Sequence, residues 1–204
     1  MSSLVNLRFI DNYFAEAETI IRTISRQDID GLVEILFDAW KNGRTVFTMG
    51  NGGSASTATH FVCDLSKVTA VEGKKRLRAI SLNDNIPLMS AWINDNGFEN
   101  LFSEQLNSLM KNGDVLIGIS VHGGSGKDKA GPWSQNLLKA MLTAKEKFNA
   151  TTVGLSGFDG GAMKEIADLC VVVPFNSTPQ VESFHVVLHH LVAFCLREKI
   201  EQSS

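Results

Sequence analysis

Apolar residues recur every three to four positions over residues 4–24 (Leu7, Ile10, Tyr13, Phe14, Ala17, Ile20, Ile21), which predicts an amphipathic helix. A second helical stretch spans residues 29–40, and Asn42-Gly43 stops it, because both residues readily take the left-handed conformation that ends a helix. Short β-rich runs then fall at 44–49, 77–82, 115–120, 151–155 and 170–174. Helical patterns separate them at 55–67, 86–93, 98–110, 135–148 and 162–167. A last helix opens at Thr178-Pro179, with threonine as the expected N-cap and proline in the first turn. Five buried strands alternating with helices predict an α/β fold. The sheet is parallel, doubly wound and flanked by helices, with the two N-terminal helices added to it.

In such a sheet, ligands sit outside the carboxyl ends of the strands. That rule puts two loops on one edge: residues 50–54, and the loop that follows Ser120. No internal repeat or low-complexity segment interrupts the pattern, so residues 1–204 read as a single domain.

Composition narrows the partners. With 44% hydrophobic residues and a net charge of −3, the chain has no field that favours nucleic acid or a membrane surface. No apolar run approaches the ~20 residues that a membrane span requires. The first residues read as a helix, not a signal peptide. Cys63, Cys170 and Cys195 are odd in number and widely spaced, which suits reduced thiols in the cytoplasm better than a disulfide framework. A small molecule is the expected partner.

Residues 46–64 carry most of the chemical information. An apolar run ends in Gly50-Asn51-Gly52-Gly53, and Ser54 opens a helix that bears His60 and Asp64 one i,i+4 step apart. Glycines let backbone N–H groups approach an anion closely, and a helix N-terminus favours negative charge. The second loop, Ser120-Val121-His122-Gly123-Gly124-Ser125-Gly126, has the same glycine and hydroxyl chemistry. Neither loop is a Walker A or a G-x-G-x-x-G motif, so nucleotide binding is not indicated. His185, His189 and His190 lie on an apolar helix, where a lone histidine is usually a hydrogen-bonded core residue. By spacing alone, Glu182, His185 and His189 share a face better than Glu182 and His190 do. Trp40, Trp92 and Cys63 read as buried, and Asp84 and Asp95 as turn or cap residues.

Gly50–Ser54 with His60, residues 113–120 and residues 153–161 together resemble sugar isomerase (SIS) domains. Within that family the chain is similar to phosphoheptose isomerases, which convert sedoheptulose 7-phosphate to a heptose 7-phosphate. The resemblance runs from the N-terminal helices to about residue 198. It implies a five-stranded parallel sheet, a homotetramer with shared active sites and a bound Zn2+. It also implies a phosphate site made by Gly52, Gly53, Ser54, Ser120 and Ser125. Asn51, Asp95 and His122 would then face the sugar.

Departures from the family pattern matter as much. The family's histidine and glutamate on the first helix become His60 and Asp64 here, and its glutamine and histidine on the last helix become Glu182 and His190. The resemblance makes these four the metal ligands, with Asp64, Glu182 and His190 as the catalytic candidates and the base open between the two carboxylates. Two histidines and two carboxylates are good zinc chemistry. Yet eight helical residues separate Glu182 from His190 by ~12 Å, so either Glu182 sits in a frayed first turn or the site is shared between chains. His122 stands where a serine is usual, and residues 126–134 form an insertion beside the second loop. The expected activity is aldose–ketose isomerisation of a seven-carbon sugar phosphate. The alternatives are isomerisation of another sugar phosphate, or a non-catalytic SIS module that senses a sugar phosphate or acts as an adaptor in replication initiation.

Overall fold

The computed structural model describes residues 2–124 and 133–203, with side chains from residue 4 onward. Two helices, α1 (Ser2–Thr23) and α2 (Arg26–Asn42), precede β1 (Thr45–Gly50), α3 (Gly53–Lys67) and β2 (Arg78–Ser81). Next come α4 (Ile86–Asn96), a 3-10 turn (Phe98–Asn100), α5 (Leu101–Leu109) and β3 (Val115–Ile119). The chain ends with α6 (Gln135–Phe148), β4 (Thr151–Gly157), α7 (Gly161–Ile166), β5 (Leu169–Val173) and α8 (Thr178–Gln202).

All strand pairs are parallel, in the order β2-β1-β3-β4-β5. The chain moves from β1 outward to β2, then returns to β3 on the other side of β1. The winding therefore reverses between β1 and β3, and a crevice opens beyond their carboxyl ends. One face of the sheet is covered by α2, α3 and α8, the other by α5, α6 and α7. β1 and β3 are buried throughout. Full burial of Phe47, Phe61 and Phe102 contributes about 1.5–3 kcal/mol each.

Local sequence explains the boundaries. Ser25 caps α2 by accepting the N–H of Asp28 at 3.1 Å, and Gly43 ends it at φ 65°. Ile29, Leu32, Val33, Leu36, Ala39 and Trp40 form the buried stripe between those caps. At the amino edge of the sheet, Asp114 accepts the N–H groups of Thr45 and Lys111, each at 2.8 Å.

Several expectations change. β2 is a partly exposed edge strand, since no strand among the described residues pairs beyond it. The helix expected over 98–110 begins as a 3-10 turn and becomes α5 only at Leu101. Ser177 occupies the N-cap position of α8, and Thr178 is its first helical residue. Trp40 is in the core, whereas Trp92 is half-buried because α4 buries none of its residues. Cys63 is exposed, since the buried face of α3 carries Phe61, Asp64 and Leu65 instead. Most of the apolar residues of α1, among them Phe9 and Phe14, are exposed on the single chain.

Candidate functional site

The crevice between β1 and β3 holds a cleft of about 270 Å³. Asn51, Gly52, Gly53 and Ser54 form one wall, and Ser120, Val121 and His122 another, with Trp133, Ser134 and Glu182 closing it. The first wall is a tight turn, in which Ser54 N–H donates to Asn51 O and Ala55 N–H to Gly52 O, both at 3.0 Å. Gly52 sits at φ 56°, a conformation that favours glycine, and no side chain caps the helix that follows. Ser54 and Ala55 N–H are engaged within the turn, and the N–H of Gly53, the first residue of α3, is the one directed to an anion.

Two asparagines outside the motif hold this turn. Asn83, just past β2, accepts the N–H of Gly50 at 3.0 Å and donates to its carbonyl at 2.9 Å. Buried Asn136 exchanges two amide hydrogen bonds with Asn51, at 3.0 and 2.8 Å. Sequence reading missed both asparagines, although Asn83 follows a strand on the predicted ligand edge. On the other wall, Ser120 is buried with its Oγ 3.3 Å from Ser134 Oγ. His122 packs against the rings of Phe158 and Trp133, with centroids 4.3 and 5.2 Å away. Ser125 and most of the insertion at 126–134 lie outside the described residues. Asp95 is exposed on α4, away from the cleft lining, and accepts from Asn94 Nδ2 at 2.7 Å.

α3 and α8 pack side by side and run in the same direction. Gly53 lies against Glu182, Asp64 against His189, and Arg197 donates to the carbonyl of Val68 beyond the end of α3. Glu182 is in the second turn of an intact helix, with no fraying to draw it toward His190. A Cβ added at Gly53 would lie 2.8 Å from Glu182 Oε1, so the carboxylate stands directly at the anion turn. Two turns further along both helices is a second group. His60, Asp64, His189 and His190 each offer a ligand atom, all within 4.8 Å of one another. Glu182 and Cys63 are not in this group. His60 also opens on a cavity of about 460 Å³ that it shares with Ala55, Ser56, Thr59, Cys63 and Asn83. Two cavities therefore flank the first turn of α3.

Asp64 is the hub. Its Oδ2 accepts from His189 Nδ1 at 2.9 Å and lies 3.5 Å from His190 Nε2, while its Oδ1 is 3.9 Å from His60 Nε2. Burial first, then the neighbouring His190 and His60, lower the His189 pKa to about 4 against the pull of Asp64. His189 is therefore neutral near pH 7. With Nδ1–H given to Asp64, its Nε2 is a lone pair that is buried with no hydrogen-bond partner among the described residues. Three imidazoles around a carboxylate, one with an unsatisfied buried nitrogen, are a donor set that fits a divalent ion such as Zn2+. His185 has a different role. It is fully buried, donates from Nε2 to the carbonyl of Ser156 at 3.1 Å, and is held near pKa 4, chiefly by burial. It anchors α8 to β4.

Comparison with known proteins bears on this geometry. Residues 12–157 match the SIS domain family. The chain is 39% identical over 191 residues to the lincomycin biosynthesis protein LmbN of Streptomyces lincolnensis, covering 92% of this chain and 67% of that protein. It is 39% identical over 172 residues to the phosphoheptose isomerase of Geotalea daltonii, covering 84% of each. The fold of phosphoheptose isomerase GmhA from Neisseria gonorrhoeae superposes with a TM-score of 0.83 at 24% identity, over 97% of this chain and all of that one. The family match across most of the chain, and the identity to relatives aligned along most of their length, lead to one conclusion: this chain belongs to the SIS domain family, in the company of its phosphoheptose isomerases.

Proposed function

We propose that the protein is an aldose–ketose isomerase that converts sedoheptulose 7-phosphate to D-glycero-heptose 7-phosphate. One observation carries the reading. The anion turn and the Asp64 group lie on the same two parallel helices, seven residues apart on each (Gly53 to His60, Glu182 to His189). Seven residues span ~10 Å, which suits an open sugar chain with phosphate at one end and a carbonyl at the other.

The Gly53 amide, Ser54, Ser120 and Ser125 would hold the phosphate, with Asn51 and His122 beside the sugar. Glu182, at the phosphate end, would accept hydrogen bonds from sugar hydroxyls. Proton transfer then falls to the other end. His190, about half exposed and backed by Asp64, would take the proton from the carbon beside the carbonyl and return it to the neighbouring carbon. Oxygen-bound protons would move in the opposite sense, so the reaction is balanced with no co-substrate. A Zn2+ held around Asp64 would supply electrophilic polarisation of the carbonyl oxygen when bound.

A homotetramer with shared sites belongs to the same proposal, supported by the exposed apolar residues of α1 and α8. So does a cytoplasmic location, in keeping with three free cysteines. Among the described residues no helix is long and apolar enough to cross a membrane. His122 and Trp133 in the cleft wall favour testing other ketose phosphates alongside sedoheptulose 7-phosphate. Turnover by the purified protein tests the proposal. Binding of sugar phosphates with no turnover of any ketose phosphate would leave a non-catalytic sensor or adaptor.

A further inference from the structure

We infer that Phe158 is a positioning residue for sugar-phosphate binding, acting through the imidazole of His122 and resting on the proposed reading of the cleft as a sugar-phosphate site. Three observations carry it.

The first is the stack. His122 is half-buried and lines the cleft. Its ring packs against Phe158 and Trp133, with centroids 4.3 and 5.2 Å away and ring planes tilted by 44° and 56°. Trp133 lines the cleft too, whereas Phe158 stands behind it, packed against the core. Phe158 therefore reaches a cleft ligand through His122. An imidazole hydrogen-bonds in its ring plane and packs with its faces, so the stack orients the ring without using up its nitrogens.

The second is the backbone. Phe158 sits at φ 54°, a left-handed conformation in which a bulky side chain is an outlier. Such strain persists only where the surroundings over-determine it, and it gathers at ligand clamps. Here the loops after β3 and β4 lie backbone against backbone. Gly157 N–H donates to the carbonyl of Val121 at 2.9 Å, and Met163 N–H to that of Gly123 at 2.8 Å. A side chain at Gly161 would collide with the His122 carbonyl, and one at Gly123 with that of Gly160. Glycine or asparagine would take the conformation of residue 158 with less strain. What phenylalanine adds is its ring against His122.

The third is His122 itself. It stands where the family resemblance expects a serine. A serine hydroxyl is short and needs no support from behind. A histidine on a loop has two side-chain torsions, and freezing them weakens binding unless they are already held. The longer side chain and the ring that fixes it belong together.

The test uses heptitol 7-phosphate, the sugar alcohol made by reducing sedoheptulose 7-phosphate, which has no carbonyl to isomerise. Its affinity is measured by calorimetry and set beside the melting temperature of each variant. Phe158→Asn is expected to melt within a few degrees of wild type and to bind about tenfold more weakly. Phe158→Tyr keeps the ring and is expected to bind within about twofold of wild type. His122→Ala should also lose about tenfold, and the double variant with Phe158→Asn no more than the larger single loss, because both act through one imidazole. Wild-type affinity in Phe158→Asn, equal weakening in Phe158→Tyr, or losses that multiply in the double variant would overturn the inference. Should Phe158→Asn fail to fold, the wild type alone decides: the His122 ring protons are followed by NMR as heptitol 7-phosphate is added. A shift that saturates with binding supports the inference, and unmoved ring protons overturn it, as does a wild type that does not bind the probe. Turnover of sedoheptulose 7-phosphate judges the isomerase reading separately, since none of these affinities depends on catalysis.

Discussion

Asp64 Oδ2 and His189 Nδ1 are 125 residues apart along the chain and 2.9 Å apart in space. The bond joins α3 to α8 inside the molecule, where neither group has ready access to water. A buried hydrogen bond to a charged group contributes about 1.5–3 kcal/mol, and removing one partner leaves the other unsatisfied. Asp64→Ala is therefore expected to destabilise the metal-free protein by about 2 kcal/mol, read from urea unfolding in the presence of a chelator. The substitution should also abolish turnover. An unfolding midpoint equal to that of wild type would show that the bond contributes nothing to the fold.

Gly53 offers a sharper probe of the cleft. An added methyl would come within 2.8 Å of Glu182 Oε1, which lies at the end of a flexible side chain. Gly53 is not among the glycines with positive φ, so alanine brings no backbone strain there. Gly53→Ala should fold with a melting temperature within a few degrees of wild type and displace the carboxylate. KM for the sugar phosphate is expected to rise about tenfold, equivalent to ~1.4 kcal/mol of lost binding. Glu182→Ala in the same chain removes the clash, so the double variant should lose less than the two single losses added together.

Much of this architecture is legible in the sequence because it is encoded locally. The β-branched runs and the caps at Ser25 and Gly43 act within a few residues, and the five strands fall within one or two residues of their expected starts. The anion turn is equally local, since Gly52 must take a positive φ. The far end of the site is different. Choosing between His189 and His190 depends on how α8 is rotated against α3, and one residue of helix turns a side chain by ~100°. Family resemblance pointed to His190, yet both histidines reach Asp64, His189 from the buried side and His190 from the edge. Asn83 and Asn136 were invisible for the same reason, because their partners at Gly50 and Asn51 are set by tertiary packing.

The apolar surface of α1 and α8 predicts assembly. Phe9 is 70% exposed, Phe14 63% and Phe194 56%, and Val187 and Leu191 line an apolar cavity of about 210 Å³ with Ile21 and Phe184. A monomer rarely leaves so many large apolar groups in water. Wild type is expected to sediment as a tetramer, and Phe14→Glu as a smaller species with the same helical content. If the sites are shared between chains, the variant should lose turnover in proportion to its dissociation. A wild-type protein that sediments as a monomer would refute both expectations.

Asp168 closes the amino edge of the sheet and gives stability a defined pH dependence. Its Oδ2 accepts Thr152 N–H at 2.8 Å and Thr152 Oγ1–H at 2.9 Å, and its Oδ1 pairs with Lys145 Nζ at 2.7 Å. Burial by itself would raise the carboxyl pKa, but the bonds from Lys145 and Thr152 outweigh it and hold the group below the usual carboxylate range. A pKa lower in the folded than in the unfolded chain stabilises the fold above the unfolded value of about 3.9, and that contribution is lost as pH falls through the folded value. The carboxylate is 41% exposed, so solvent screening keeps its share of stability to about 1 kcal/mol or less. Asp168→Asn should therefore unfold at slightly lower urea than wild type at pH 7. The gap should narrow as pH drops below about 4, once the wild-type carboxyl takes up its proton. Turnover at pH 7 should stay unchanged, because Asp168 lies at the opposite edge of the sheet from the cleft. A gap that widened on acidification would show that the Asp168 carboxylate is not what stabilises this edge.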